Sequence, residues 1–248
     1  MELNFWLRTS GTWINAIAVL AGTLCGLVLS SRLNQPMQRI IMQGVGLVVL
    51  FIGFNMGSSL TEVQGGKVEG VVLGLLAIVM GGLLGEFWQL EQRIESLGNW
   101  LKKRMRGGGN FTEGFVAASL LFCVGPMTLI GSFNNGLTGD DTLLVVKATL
   151  DGLAAIALAS SFGVGVGFSI PVILIFQGGI SLTAGILAIA IPNPASHPVV
   201  LLVTGVGGLM VIGLGINLLN LTRVRVASFI PALALVPVCY WIAEWISG

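Results

Sequence analysis

Lys147 and Asp151 lie four residues apart in an otherwise apolar run, with only Ala148, Thr149 and Leu150 between them. On a helix that spacing puts both side chains on one face. Ionisable groups inside a membrane-spanning segment face a protein interior or a watery cavity, and they often mark an ion or substrate path. Two readings fit the pair. Asp151 could handle an ion or proton with Lys147 as its partner or as an anion contact, or the two charges could only neutralise each other and lower the cost of insertion. Upstream, Cys123, Gly125, Pro126 and Thr128 fall midway through another apolar run. There proline removes a backbone donor and glycine weakens the turn. A break at that depth frees backbone groups that protein, water or ligand must satisfy. A short turn then returns the chain, so break and pair reach comparable depth. We therefore expect a substrate- or ion-binding site at Asp151, Lys147, Gly125, Pro126, Thr128 and Cys123.

A second tier of residues has competing explanations. Asn15, Asn55, Gln177 and Asn217 are amides within apolar runs, where helix-to-helix hydrogen bonding accounts for them as well as ligand binding does. Asp140 and Asp141 could attract cations at a pore mouth, but capping the following helix is the commoner task for Asp there. Asn134 and Asn135 suit the same turn. Enzyme signatures are missing. The one histidine, His197, sits in the Pro192–Pro198 loop, where a turn role is expected. No Ser/His/Asp set, phosphate loop or metal-spaced cluster can be assembled. Gly163-Val164-Gly165-Val166-Gly167 lacks the lysine and strand context of a phosphate loop. Cys25, Cys123 and Cys239 fall on separate runs, which argues against a disulfide or metal framework. No cofactor is expected, no metal can be assigned, and nothing supports nucleic-acid binding.

The elements that would carry these residues are helices in a bilayer. The chain is 54% hydrophobic and 9% charged, with 36 glycines. Spanning a bilayer takes about 20 apolar residues in a helix, and the sequence offers about eight such runs. We place them at Gly11–Ser31, Met37–Leu60, Val68–Phe87, Gly114–Phe133, Asp141–Phe162, Gly167–Ile191, Val199–Leu221 and Ser228–Ile246. The first is expected to be retained rather than cleaved as a signal. Arg32, Arg39, Arg93, Lys102–Arg106, Arg223 and Arg225 then fall on one side, expected to be cytoplasmic, with both termini outside. Phe87, Leu90, Ile94, Leu97 and Leu101 form a stripe over 87–101 that suits a helix on the inner surface, its basic end near anionic lipid. Gly107–Gly109 would end it as a hinge. The second and seventh runs echo one another, Gly44–Asn55 against Gly205–Asn217, and would cross in opposite directions. That pattern points to an inverted repeat like those of secondary transporters. Gly22/Gly26 and Gly163/Gly167 have the small-xxx-small spacing of close helix packing.

Several of these residues also carry a likeness. Phe122-Cys123-Val124-Gly125-Pro126-Met127, Gly136-Leu137-Thr138-Gly139-Asp140, Lys147 with Leu150-Asp151-Gly152, and Gly163-Val164-Gly165-Val166 resemble the YqgA/YdfK-like family of uncharacterised bacterial inner-membrane proteins. Asn15-Ala16-Ile17-Ala18-Val19, Gly22/Gly26, the Gly46–Gly53 helix and Gly207-Gly208 extend the resemblance to nearly the whole chain. It implies a polytopic protein of the bacterial inner membrane, with no substrate attached. A six-residue likeness of Thr149-Leu150-Asp151-Gly152-Leu153-Ala154 to a helix of small manganese exporters is too short to assign anything. The expectation is a single all-α polytopic transmembrane domain, 1–248. Its function would be that of a small secondary transporter or channel-like permeator of an ion or small solute, and the alternative is a membrane scaffold or regulator. Membrane lipid and a small solute are the expected partners, with a homo-oligomer open.

Overall fold

The computed structural model describes residues 4–104, 110–190 and 194–247, with the backbone alone for 187–190. The chain is an all-α polytopic helical bundle. Its helices are α1 (Phe5–Ser30), α2 (Gln35–Gly57), α3 (Gly70–Phe87), α4 (Leu90–Arg104), α5 (Phe111–Cys123), α6 (Pro126–Thr138), α7 (Thr142–Phe162), α8 (Ile170–Ala190), α9 (Pro198–Leu218) and α10 (Ile230–Ser247). Short 3-10 turns at Ser58–Glu62, Gly163–Ser169 and Val226–Phe229 lie between α2 and α3, α7 and α8, and α9 and α10. The expected surface helix is α4, with Glu91 in its first turn and Lys102, Lys103 and Arg104 in its last, as the helix dipole favours. Arg106, the Gly107–Gly109 hinge, Ile191 and the start of the Pro192–Pro198 loop lie outside the described residues.

Three expected boundaries need correction. The fourth span is two helices, α5 and α6, bent by 58° at the Gly125-Pro126 break. α1 begins six residues earlier than Gly11, at Phe5, because Asn4 caps it by accepting from the Trp6 N–H at 3.4 Å. The third span is preceded by a two-residue hairpin, β1 (Gln64–Gly65) paired antiparallel with β2 (Val68–Glu69). Gly66 turns it with φ +59°, and its N–H donates to Glu244 at 2.7 Å. Glycine is the residue that takes positive φ at the first position of such a turn.

The burial pattern is that of a protein solvated by lipid. Leu83, Ile175 and Ile186 are 68%, 76% and 75% exposed, whereas Asn15, Gln177, Lys147 and Asp151 are buried. Among the described residues six stretches are long and apolar enough to cross a membrane, or seven if α5 and α6 count as one bent span. One of the six, Thr142–Ile186, runs for 45 residues, about twice what one crossing needs. Its register against α1 shows that it is two antiparallel helices. Along α7 the contacts of α1 ascend together, Gly11 with Leu144 and Gly26 with Ile156 and Ala159. Along α8 they descend, Arg8 with Leu182, Thr12 with Gly178 and Asn15 with Gln177. α7 and α8 are therefore separate helices, each long enough for one crossing.

The contacts divide into two compact units, Met1–Val45 with Glu95–Pro194, and Gly46–Ile94 with Ala195–Gly248. In the first, α1 packs along α7 so closely that a Cβ on Gly22 would lie 2.2 Å from the Gly152 carbonyl oxygen. In the second, α3 packs antiparallel to α10, around a core of Leu73, Ala77, Leu202, Val206, Ala232 and Val236. The two helices expected to repeat one another, α2 and α9, also lie antiparallel there. Gly46 meets Leu219 and Gly53 meets Ile212, and a Cβ on Gly208 would lie 2.4 Å from the Gly57 nitrogen.

Candidate functional site

The site begins with a carbonyl that proline leaves without a donor. In an unbroken helix the Phe122 carbonyl would accept from the N–H four residues on. That residue is Pro126, which has none. The backbone instead turns extended at Val124, and Pro126 opens α6 at the position where its missing N–H costs nothing. The Gly125 carbonyl is spent on starting α6, accepting from Thr128 and Leu129 N–H at 3.2 Å each. The Phe122 carbonyl is therefore left for side-chain donors. The Lys147 ammonium donates to it at 2.7 Å and the Thr128 hydroxyl at 3.3 Å.

α5 runs antiparallel to α7, with Gly114 against Phe162 and Phe122 against Lys147. Lys147 also pairs with Asp151 on its own helix. Asn15 of α1 donates to the same Asp151 carboxylate oxygen at 3.0 Å, and from the same nitrogen to the Gln177 side-chain oxygen of α8 at 3.0 Å. Cys123, buried at the end of α5, is close enough to interact electrostatically with both members of the pair. Five helices of the first unit thus meet at one polar cluster. Burying an unpaired charge costs several kcal/mol, and here the ammonium has a carboxylate and a carbonyl while the carboxylate has an ammonium and an amide. The arrangement gathers a carboxylate, an ammonium, a backbone carbonyl and neutral amides at one buried point.

Other expected residues lie elsewhere. Asn55 is exposed on α2. Asn217 clasps a loop, donating to the Val224 carbonyl at 2.8 Å and accepting from the Val224 N–H at 2.7 Å. Asp140 is exposed and accepts from the Thr142 hydroxyl at 2.7 Å and its N–H at 3.0 Å. Those two bonds, the hydroxyl's first, hold its carboxyl below the usual carboxylate range. His197 caps α9, accepting from the Val199 N–H at 3.3 Å. Among the described residues no group of three His, Cys, Asp or Glu could hold a metal.

Two residues escaped sequence reasoning. The Phe122 carbonyl was signalled by Pro126 four residues later. Asn135, expected in a turn, is instead fully buried in α6. Its amide donates to the Leu7 carbonyl at 2.9 Å and accepts from the Gly11 N–H at 3.2 Å, both on α1. It also donates to Ser10 at 3.1 Å, whose hydroxyl donates to Asp141 at 2.6 Å.

Comparison with known proteins extends over nearly the whole chain. The family model described as "Protein of unknown function (DUF554)" matches residues 10–241. "Uncharacterized membrane protein YdfK" of Bacillus subtilis (strain 168) is 30% identical over 233 residues, covering 94% of this chain and 96% of that one. "Uncharacterized protein YqgA" of Escherichia coli (strain K12) is 30% identical over 232 residues, covering 91% of this chain and 93% of that one. No solved structure matches the chain significantly.

Proposed function

The chain belongs to the DUF554 family of membrane proteins, and on that footing we propose that it is a small secondary transporter or channel-like permeator of an ion or small solute. The observation that carries this reading is the buried Lys147–Asp151 pair joined to the orphan Phe122 carbonyl of a broken helix. Discontinuous helices whose free backbone groups meet charged side chains are how transporters build midplane sites. Asp151 is the ion- or proton-handling acid. Lys147 is its internal counter-ion, tethered to the break so that it can stay bound when Asp151 is neutralised. No enzymatic step, cofactor or nucleic acid enters this reading. The protein sits in the bacterial inner membrane with its basic loops cytoplasmic and both termini outside, and the basic end of α4 rests on anionic lipid.

A second reading, a non-transporting scaffold, draws on the fact that the pair already satisfies itself. Flux decides between them. Purified protein in proteoliposomes, screened over metal cations and small anions, should move at least one of them, and Asp151→Asn should abolish that movement. If no flux appeared across the screen, or if it were unchanged in Asp151→Asn, the scaffold reading would replace this one.

A further inference from the structure

On the Asp141 side of the Lys147–Asp151 pair the first unit holds a group of buried hydroxyls. Toward the Asp141 end, α1 presents Thr12, α6 presents Ser132 and α8 presents Ser181, all at most 2% exposed. None of these three hydroxyls has a hydrogen-bond partner among the described residues. They lie in one neighbourhood. Thr12 packs on Gly178 of α8, and Ser181 lies where α8 crosses α6 at Gly136, one turn along from Ser132. The amides beside Asp151 are also incompletely used, since the Asn15 oxygen and the Gln177 nitrogen lack partners. Away from Asp141 comes an apolar layer of Val19 on α1, Ala155 and Leu158 on α7 and Ile173 on α8, each 0% exposed, with hydroxyls unpartnered among the described residues also at Thr23 on α1 and Ser119 on α5. Leu144 closes the α7 side by packing on Gly11 and Gly131, which leaves the hydroxyls to the α1, α6 and α8 side.

A buried hydroxyl without a partner is costly, and proteins usually meet it with internal water making about three hydrogen bonds. A hydroxyl both donates and accepts, so a row of hydroxyls and waters can pass a proton. We infer that Thr12, Ser132 and Ser181 hold a chain of internal water that connects Asp151 to the Asp141 end of the first unit, giving its carboxylate access to protons from that end. This rests on the reading of Asp151 as the acid of the site. Each oxygen in the row gains one O–H bond and gives up another. The last proton forms an O–H bond on the Asp151 carboxylate and cancels its charge, while Lys147 keeps the Phe122 carbonyl. The charged and titratable groups near Asp151 are Lys147 on its own helix and Cys123 on α5; α1 and α8 offer the amides Asn15 and Gln177, and α6 offers Thr128. At the far end of the row stand Arg8 and Asp141, the latter bonded to Ser10.

The test tracks the protonation of Asp151 after a pH jump in the detergent-solubilised full chain, by infrared difference spectroscopy, with the signal assigned by its loss in Asp151→Asn. A triple variant, Thr12→Val with Ser132→Ala and Ser181→Ala, removes hydroxyls that make no protein bond and should therefore fold. Its protonation should slow by about tenfold or more, about 1.4 kcal/mol on the barrier. Thr12→Ser should keep the wild-type rate, and so should Thr23→Val, whose hydroxyl lies beyond the apolar layer. Unchanged kinetics in the triple variant, or an Asp151 that stays charged at every pH at which the protein is folded, would overturn the inference. Absent flux in proteoliposomes with intact protonation kinetics would instead overturn the transport reading alone. If the triple variant lost stability, Ser132→Ala by itself, which leaves two hydroxyls in place, should still slow protonation; unchanged kinetics there would count against the chain equally.

Discussion

Asn135 sits with its amide between the Leu7 carbonyl and the Gly11 N–H, so one side chain fixes the register of α6 against α1. Removing it deletes the tie between helices and the bond to Ser10. We expect Asn135→Ala to lower stability by about 1–3 kcal/mol in thermal or denaturant unfolding. Asn55→Ala, on an exposed face, should stay within about 0.5 kcal/mol of wild type. Asp140 has a pH dependence whose sign comes from its two bonds to Thr142. Its carboxyl titrates below the ordinary value of 3.8, so its contribution is fully present above that value and disappears as pH falls through the folded pKa. The melting-temperature gap between wild type and Asp140→Ala should therefore be constant near neutral pH and close below the carboxylate range. Asn and Asp looked alike as turn residues in the sequence. What separates Asn135 from Asp140 is helix phase relative to α1, which only the packed helices reveal.

Gly22 and Gly26 let α1 lie against the α7 backbone, where a Cβ would come within 2.2 Å of the Gly152 oxygen and 2.4 Å of the Ile156 oxygen. Backbone cannot step aside as a flexible side chain can. Gly22→Ala and Gly26→Ala should each cost about 1–3 kcal/mol by overpacking. Gly44→Ala, with open space around the new methyl, should be neutral or stabilising by up to about 1 kcal/mol through helix propensity. Unfolding of the three variants side by side checks the contrast, and similar values for all three would refute the close approach. The small-xxx-small spacing at Gly22/Gly26 was visible in the sequence, yet the same spacing at Gly163/Gly167 serves differently. Gly163 ends α7 with φ +76° and open space around it. Spacing alone cannot tell a helix contact from a helix end. The hairpin at 64–69 was hidden for another reason, because two-residue strands carry no periodicity to read.

Across the described residues, apolar run length made the helices and their order legible, because a bilayer requires such runs. The Lys147–Asp151 spacing and the Gly125-Pro126 break made the centre of the buried polar cluster legible too. The amide partners were not, since neither Asn15 nor Gln177 differs in local sequence from Asn55 or Asn217, and burial between particular helices decides among them. For topology, reporter fusions after Arg106 and Arg225 should read cytoplasm and fusions near Asp140 and at Gly248 the outside; a cytoplasmic C-terminus would break the eight-crossing count. The role of Asp151 is tested most directly by three variants measured for both stability and flux. Asp151→Asn strands a buried ammonium and should cost about 3–5 kcal/mol. Lys147→Met should cost a similar amount by stranding the carboxylate. Their combination leaves no uncompensated charge, so it should recover most of the wild-type stability. If Asp151 handles the transported ion or proton, that stable double variant will still carry no flux in proteoliposomes, and flux restored to the wild-type level would contradict the account.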